Sequence, residues 1–261
     1  MSAKYLLSAL SILILAACAA PLPTIKTQKA LANVGVVSLF TDELRGGRSD
    51  GWKTEPLPLS RVAWSTNHFL TNHIRQVLAS SGIQVATATY DDANLQKLNV
   101  PDSSGELAQV IAAAVTDREA FDALVVVYPN YIDGFGRQHS VLRNFMLMGP
   151  VGVAIGEQAR KQGAYSNAYQ LMINIGLHEK MIGKSRCVIG FDLSVVDAKT
   201  NTIIGQKRSV IGREEVPSEI WAPSFDAFRE KDQGIVKEKC LSALAKAVTQ
   251  ALMAVGLPTR P

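Results

Sequence analysis

Two features of the sequence predict an α/β fold, with helices packed on a mixed β-sheet. In the first half, apolar runs rich in β-branched residues alternate with segments whose apolar residues recur every three or four positions. This order of strand, helix, strand, helix and strand is typical of a parallel-type sheet covered by helices. In the second half, hydropathy alternates on both sides of a turn, which indicates an antiparallel hairpin.

The first half contains five predicted elements. Apolar runs predict buried strands at residues 34–40, 83–89 and 123–128. Apolar side chains at helical spacing predict helices at residues 69–78 and 107–115, and a capping box precedes the second of these. Each predicted helix therefore connects two predicted strands.

Two segments interrupt this pattern. Residues 41–60 combine glycines, prolines and charged side chains, so no regular structure is expected there. Residues 133–167 are rich in glycine and carry the apolar patch Met146–Met148. We expect this second segment to be an insertion built of loops or a helix.

The antiparallel hairpin is predicted from a change to two-residue periodicity. Odd-numbered residues from 187 to 195 are apolar and would share one strand face, with Asp192 and Ser194 on the other. The sequence DAKTN at residues 197–201 predicts a turn, after which residues 202–211 return as the partner strand.

Further elements are predicted on either side of this hairpin. Residues 169–175 alternate in hydropathy and predict one more strand, whereas residues 214–232 are expected to be irregular. An apolar stripe at residues 241–255, closed by Gly256, predicts a final helix.

Residues 1–17 have the features of a secretion signal. Lys4 precedes an apolar run, Tyr5 to Ala17, that is shorter than the roughly twenty residues of a spanning helix. The sequence Leu-Ala-Ala before Cys18 resembles the bacterial lipobox, which implies cleavage before Cys18 and acylation of its thiol. An ordinary signal cut at Ala-x-Ala, with Cys18 incidental, is the alternative. An Asp directly after the cysteine would resemble an inner-membrane retention signal. Ala19 stands at that position instead, so we expect an outer-membrane anchor facing the periplasm.

Length and charge set the domain organisation and exclude one class of partner. After a signal peptide at 1–17 and a tether at 18–32, we expect a single α/β envelope domain at 33–257, with the insertion at 133–167. The 27 basic residues are nearly balanced by 23 acidic residues. This balance argues against nucleic acid as a partner, because nucleic-acid-binding domains are strongly basic.

Two cysteines remain in the body of the chain, and they predict a disulfide. Cys187 has the parity of the apolar strand face, and Cys240 lies one turn before Leu244 on the final helix. If that helix covers this sheet face, the two sulfur atoms can meet. In an oxidising periplasm a bridge is expected, although free cysteines also serve as small apolar core residues.

Basic and aromatic side chains near the hairpin are candidates for a partner surface. Lys180, Lys184 and Arg186 surround one turn, and the basic residues of the neighbouring strand could extend the patch, namely Lys207, Arg208 and Arg213. The alternative is a solvated sheet edge whose charges prevent aggregation. Trp221, with two nearby phenylalanines, could be an exposed docking surface or part of the core.

Three motifs imitate catalytic sites, and none has the required context. Ser49 lies in a G-x-S-x-G pattern, but polar residues precede it and prolines follow it, so a solvated turn is expected. Gly183-Lys184-Ser185 lacks the earlier glycine of a phosphate loop, and a hairpin turn is expected. His68 and His73 do not have the spacing of a helical metal pair. Because none of the three motifs has the required context, we expect no metal, cofactor or catalytic residue.

The order of these elements resembles that of a group of envelope proteins. VGVVSLF, FDALVVVY, the hairpin FDLSVVDAKTNTIIGQK and a closing helix resemble the lipoproteins related to the curli-secretion lipoprotein and to the amino-terminal domain of the Tol-system protein. The resemblance implies a mixed-sheet α/β domain that assembles with other envelope components. Residues 141–155 do not alternate in hydropathy and contain Pro150, so a pore formed by this chain is not expected.

These observations predict a lipid-anchored, non-enzymatic assembly or accessory component of the cell envelope. Its expected partners are outer-membrane lipid, through Cys18, and other envelope proteins or further copies of the chain. The alternative is a periplasmic hydrolase with a site in or near the glycine-rich insertion.

Overall fold

A computed structural model describes residues 25, 31–40, 42–49, 54–56, 60–91, 104–129, 169–174, 185–217 and 225–258. The predicted lipidation site, the glycine-rich insertion and parts of several loops therefore lie outside the described residues. Within these residues the fold is α/β, as predicted, with a mixed sheet and helices on both faces.

The described strands are β1 (Asn33–Ser38), β2 (Glu43–Ser49), β3 (Thr54–Pro56), β4 (Ser60–Arg61), β5 (Gln84–Thr87), β6 (Ala123–Pro129), β7 (Tyr169–Asn174), β8 (Ser185–Asp197) and β9 (Ile203–Val216). The described α-helices are α1 (Thr66–Ala79), α2 (Ser104–Ala114) and α3 (Glu230–Ala254), and short 3-10 turns lie at Arg118–Ala120 and Phe225–Ala227. Along the sheet the order is β3-β2-β7-β8-β6-β1-β5, with β4 beside β2 and β9 beside β8.

The sheet has a parallel part and an antiparallel part, as the two halves of the sequence predict. Strand β1 pairs in parallel with β5 on one side and β6 on the other. Strand β8 is antiparallel to β6, β7 and β9. Because β9 follows one edge of β8 along nearly its whole length, β6 and β7 share the other edge, end to end.

The two faces of the sheet are covered by different helices. On the first face, α1 and α3 pack on the odd-numbered residues of β6 and β8, including Val125 and Phe191. On the second face, α2 packs with Leu107 and Ile111 against Leu124 and other even-numbered residues of β6. The chain crosses from β1 to β5 and then back to β6, and right-handed crossovers in opposite directions place their helices on opposite faces.

The turn predicted at residues 197–201 has the expected chemistry. The carbonyl oxygen of Asp197 accepts a hydrogen bond from the Asn201 amide at 2.9 Å, and its side chain accepts bonds from the amides of Lys199 and Thr200. Asn201 adopts φ 53°, in the left-handed region that Asn tolerates better than most residues. The predicted hairpin therefore forms, although β9 extends to Val216, beyond its predicted end at 211.

The predicted end of the final helix is also confirmed. Gly256 adopts φ 86°, its amide donates to the Met253 carbonyl, and the next amide, of Leu257, donates to the Leu252 carbonyl. These two bonds form a Schellman motif, which satisfies carbonyl groups that the helix end would otherwise leave without a partner. Leu252 and Leu257 are both buried in the core of the first face.

The segment 41–60 corrects the sequence prediction, because it contains β2, β3 and β4 rather than an irregular loop. Strand β2 pairs in parallel with β7, from Leu44 opposite Tyr169 to Ser49 opposite Asn174. Strand hydrogen bonds come from the backbone, which glycine and arginine supply as well as valine does. The partner strand is distant in sequence, so local composition did not reveal the pairing.

Candidate functional site

The predicted lipidation site, Cys18, lies outside the described residues, but Ile25 of the predicted tether contacts the domain. The amide of Ile25 donates a 3.0 Å hydrogen bond to the carbonyl oxygen of Val255, at the end of α3. Its side chain is partly buried against the core of the first face. The tether is therefore attached to the domain at Ile25, seven residues after the predicted anchor.

Two glycines make room for this residue. A Cβ atom added at Gly205 would lie 3.3 Å from Cγ1 of Ile25, and one added at Gly256 would lie 3.1 Å from its carbonyl oxygen. Both distances are tighter than ordinary van der Waals contacts. We refer to Ile25 with Gly205, Val255 and Gly256 as the Ile25 contact.

Cys187 and Cys240, the predicted disulfide pair, are joined by a disulfide. Cys187 lies on β8 and Cys240 on α3, with their Cα atoms 5.3 Å apart. This separation is within the usual range for a disulfide. Both side chains are fully buried beneath α3, so the bridge ties that helix to the centre of the sheet.

The predicted basic surface is divided by the register of the hairpin. Arg186 lies opposite Glu215, whereas Lys207 lies opposite Leu193. Seven residues along β8 separate the two positions, or about 23 Å. Arg186 is paired with Glu215 at 3.7 Å, and both side chains are exposed, so this ion pair adds little stability. Lys180 and Lys184 are outside the residues that the structure describes.

The structure describes part of the aromatic cluster near residue 221. Phe225 and Phe228 are buried, with ring centroids 5.7 Å apart, and Phe225 packs edge-on against Trp64 at 5.8 Å. These two phenylalanines belong to the core rather than to an exposed docking surface. Trp221 itself is not among the described positions.

A row of buried polar side chains crosses the second face of the sheet. It consists of Tyr128 on β6, Asp192 and Ser194 on β8, and Gln206 on β9, which we call the polar row. Tyr128 lies opposite Asp192, and Ser194 lies opposite Gln206. The amide nitrogen of Gln206 donates a 3.2 Å hydrogen bond to the Ser194 hydroxyl oxygen.

The predicted alternation along β8 is confirmed, but alternation does not show whether the polar face is buried. Asp192 and Ser194 lie on the second face, opposite the apolar side chains. In the structure they are 5% and 0% exposed, because the second face is also covered. Polar side chains are tolerated in such a position when they have hydrogen-bond partners.

The environment of Tyr128 shows what the polar row can do chemically. Burial raises the pKa of its hydroxyl above the usual range, and the negative charge of Asp192 raises it further. Hydrogen bonds from Ser194 and Gln206 and the charge of Arg208 act in the opposite direction and are smaller. The phenol therefore stays protonated and neutral at physiological pH. Of the four side chains only the Asp192 carboxylate is a base, and it lies opposite Tyr128 rather than Ser194.

A β-bulge lies beside the polar row. Val210 pairs with Phe191 and Lys207 pairs with Leu193, so two residues of β9 oppose Asp192 alone. One of them, Arg208, is exposed. Bulges interrupt the ladder and increase local twist, and they help to keep a sheet edge from pairing with another chain.

A shallow recess at the start of α1 is lined by Asp42, Glu43, Arg61, Val62 and Ala63. The Asp42 carboxylate accepts hydrogen bonds from the amides of Ser65 and Thr66, at 2.9 and 3.0 Å, and from the Thr66 hydroxyl at 2.6 Å. Asp42 thus occupies the position at the helix start where an anion would bind. The Asp42 carboxylate in this recess therefore caps α1.

The G-x-S-x-G motif has a different backbone from the predicted turn. Ser49 is the last residue of β2, and its Cα neighbours are Thr54 on β3 and Asn174 on β7. A catalytic serine of this type requires a helix directly after the strand. Strand β3 instead pairs antiparallel with β2, which is the geometry of a hairpin.

The two histidines of α1 have local partners. His68 is exposed and hydrogen-bonded to Asn72, whereas His73 stacks on Phe69 and bonds to the Thr249 hydroxyl at 2.9 Å.

Among the described residues, no three ligand side chains are grouped to hold a metal ion. None of the described helices has the length and hydropathy needed to span a bilayer. Comparison of the sequence with protein-family models and with curated proteins gives no match.

Proposed function

We propose that this protein is an exported envelope lipoprotein, anchored in the outer membrane through Cys18 and facing the periplasm. In this proposal it acts as a non-enzymatic assembly or accessory component, through contacts with other envelope proteins or with further copies of itself. The observation that carries the proposal is the disulfide between Cys187 and Cys240. Disulfides persist in oxidising compartments such as the bacterial periplasm and are rare in the cytosol.

The anchor follows from the sequence around Cys18. A lipobox cysteine carries several acyl chains, and stable attachment to a bilayer takes at least two. The attachment of the tether at Ile25 is compatible with this arrangement, because it leaves a short connection between the lipid and the domain.

The assembly role is supported by the hairpin of β8 and β9. This hairpin, with the sequence VVDAKTNTII, is the most recognisable part of the resemblance to the curli-secretion and Tol-system envelope proteins. Proteins of that group work by assembling with other envelope components, and we propose the same mode of action for this chain.

Lipidation is tested by mass spectrometry of the native amino terminus. We expect an acylated Cys18, and we expect Cys18→Ser either to release the protein into the soluble periplasmic fraction or to leave the signal uncut. The matched control is Ala19→Asp, which should keep the acyl groups but move the protein to the inner-membrane fraction. An unmodified terminal residue would contradict the anchor.

The assembly role is tested by crosslinking intact envelopes and purifying the protein under denaturing conditions. Specific crosslinked partners or multimers are expected for the native protein. The same species should be lost when Cys18→Ser releases it from the membrane. Monomeric recovery at every crosslinker concentration would contradict the proposal.

The alternative, a periplasmic hydrolase, is favoured by the position of the polar row. Tyr128 precedes Pro129, the last described residue before the glycine-rich insertion, so buried polar groups lie beside the start of that segment. A fluorophosphonate serine-hydrolase probe separates the two functions. We expect no labelling; labelling that Ser49→Ala or Ser194→Ala abolishes would establish the hydrolase instead.

A further inference from the structure

The Ile25 contact lies at one end of the domain, where several elements begin or end together. Strands β1, β5 and β6 start there, as the pairs Asn33 with Gln84 and Val34 with Ala123 indicate. Helices α1 and α3 finish there, and the Ser81 hydroxyl donates a 2.8 Å hydrogen bond to the Pro258 carbonyl oxygen between their ends. We call this the anchor end.

The opposite end of the domain holds the carboxyl ends of the parallel strands. Strand β1 ends at Ser38, β6 ends at Pro129, and the glycine-rich insertion follows from there. In open α/β sheets, ligands bind outside the carboxyl ends of the strands. We call this the far end.

We propose that the Ile25 contact holds the anchor end against the lipid surface of the outer membrane and directs the far end into the periplasm. This inference rests on the proposed lipidation of Cys18. The seven residues from Cys18 to Ile25 can span at most about 25 Å, so the anchor end cannot move farther than that from the bilayer.

The Ile25 contact limits the distance between the anchor end and the bilayer, because the next described attachment of the tether to the domain is farther along the chain. Among the described residues of the tether, Leu31 is the next one that packs on the core. Without the Ile25 contact, thirteen residues would connect Cys18 to the domain and could span about 45 Å. That length exceeds the length of α3, about 37 Å, and would let the domain turn over, whereas the 25 Å reach allowed by the Ile25 contact is shorter than α3.

One surface side chain is suited to this lipid contact. Met253, in the last turn of α3, is 51% exposed, and it is the largest exposed apolar side chain among the described residues. It lies two residues before Val255, which binds Ile25. An apolar side chain at this position can enter the interface between headgroups and acyl chains.

The orientation is tested with two labels on the same helix. The lipidated protein is reconstituted into phosphatidylethanolamine and phosphatidylglycerol vesicles that contain an energy-acceptor lipid labelled at its headgroup. A fluorophore is attached at Ala254→Cys in one preparation and at Lys231→Cys in another, exposed positions about 35 Å apart along α3 that leave Met253 in place. Cys187 and Cys240 are bridged and buried, so they do not compete for the label.

We expect energy transfer to the acceptor lipid to be several-fold stronger from position 254 than from position 231. Equal transfer, or stronger transfer from position 231, would overturn the proposed orientation. Ile25→Asp should remove most of the difference, because it places a carboxylate in a partly buried site beside the Val255 carbonyl group. Ile25→Val, the matched control, should preserve the difference.

A second variant gives an independent result if Ile25→Asp fails to fold. Twenty Gly and Ser residues inserted directly after Ala19 leave the Ile25 contact unchanged but lengthen the reach, and they too should remove the difference. A difference that persists in this variant would contradict the proposal.

Mass spectrometry and co-sedimentation with vesicles separate the two proposals. Absence of acyl groups, together with absence of vesicle binding, would overturn the anchor and the orientation alike. A lipidated, vesicle-bound protein with equal transfer from both labels would overturn the orientation alone.

Discussion

On the first face of the sheet, α1 and α3 cover aliphatic and aromatic side chains, and a disulfide joins α3 to β8. On the second face, the aliphatic patch beneath α2 gives way to the polar row. Apolar packing is non-directional and depends on the area removed from water, whereas buried polar groups depend on specific partners. The two faces should therefore respond differently to small substitutions.

The largest effect is expected from removing the disulfide on the first face. The bridge closes a segment with a sequence separation of 53 residues. In the chain-entropy model such a loop is worth about 4 kcal/mol. Cys187→Ala with Cys240→Ala should therefore lower the free energy of unfolding by about that amount, measured by guanidinium titration.

The bridge itself can be tested by alkylating the unfolded protein without reduction. We expect Cys187 and Cys240 to remain unlabelled until a reductant is added. Labelling of both residues before reduction would show that the first face has no covalent connection.

The next effect tests how closely α3 approaches β9 on the first face. A Cβ atom at Gly212 would lie 2.5 Å from the Ala243 carbonyl oxygen and 3.0 Å from the Ala247 Cβ. Gly212→Ala must push the helix away from the strand, and overpacking of this kind costs about 1–3 kcal/mol.

Gly234→Ala is the matched control, because a Cβ atom there meets nothing within 4 Å. Gly234 lies inside α3, where alanine should stabilise the helix by about 0.5–1 kcal/mol. The melting temperatures of both variants test this difference in stability. Equal effects from the two substitutions would contradict the close approach.

A smaller effect is expected on the second face, from Ser194→Ala. This substitution removes one hydrogen bond from the Gln206 amide and one from the Tyr128 hydroxyl, which remain partners of each other, at a net cost of about 0.5–1.5 kcal/mol. Gln206→Leu should cost a similar amount.

A double-mutant cycle distinguishes this network from ordinary packing. Because the two side chains are hydrogen-bonded, the double variant should cost less than the two single costs added together. Ser80→Ala, at an exposed position, is the control and should change stability by less than about 0.5 kcal/mol. Strict additivity would show that the polar row is not coupled.

The smallest effect concerns the polar contact between α1 and α3. Burial lowers the pKa of His73 from its ordinary value of 6.5, and a hydrogen bond to the Ala245 backbone opposes this shift. As the pH falls below 6.5, the unfolded chain therefore binds a proton that the folded chain does not. The neutral imidazole of His73 therefore contributes fully to the free energy of unfolding above pH 6.5. This contribution is lost as the pH falls toward the lowered pKa of the folded state.

Melting temperatures measured between pH 8 and pH 5 test this dependence. His73→Gln should reduce the loss of stability at low pH relative to the native protein. His68→Gln, on the exposed side of the same helix, should leave the loss unchanged. Identical pH profiles for the native protein and His73→Gln would contradict the burial of this imidazole.

Local patterns in the sequence determined much of this fold. The apolar runs of β1 and β6, the stripes of the helices, the DAKTN turn and the end of α3 at Gly256 were predicted from residues within a few positions of one another. The parity of Cys187 also placed its side chain on the buried first face. These features are readable because periodicity and turn chemistry act over short stretches of chain.

Contacts between distant segments decided the rest. Strand β2 forms because β7 offers its backbone, the polar row is buried because the second face is also covered, and Ile25 binds where Gly205 and Gly256 leave space. In each case the energy comes from a partner far away in sequence, so the residues themselves carry no local sign of it. Only the tertiary structure brings those partners together.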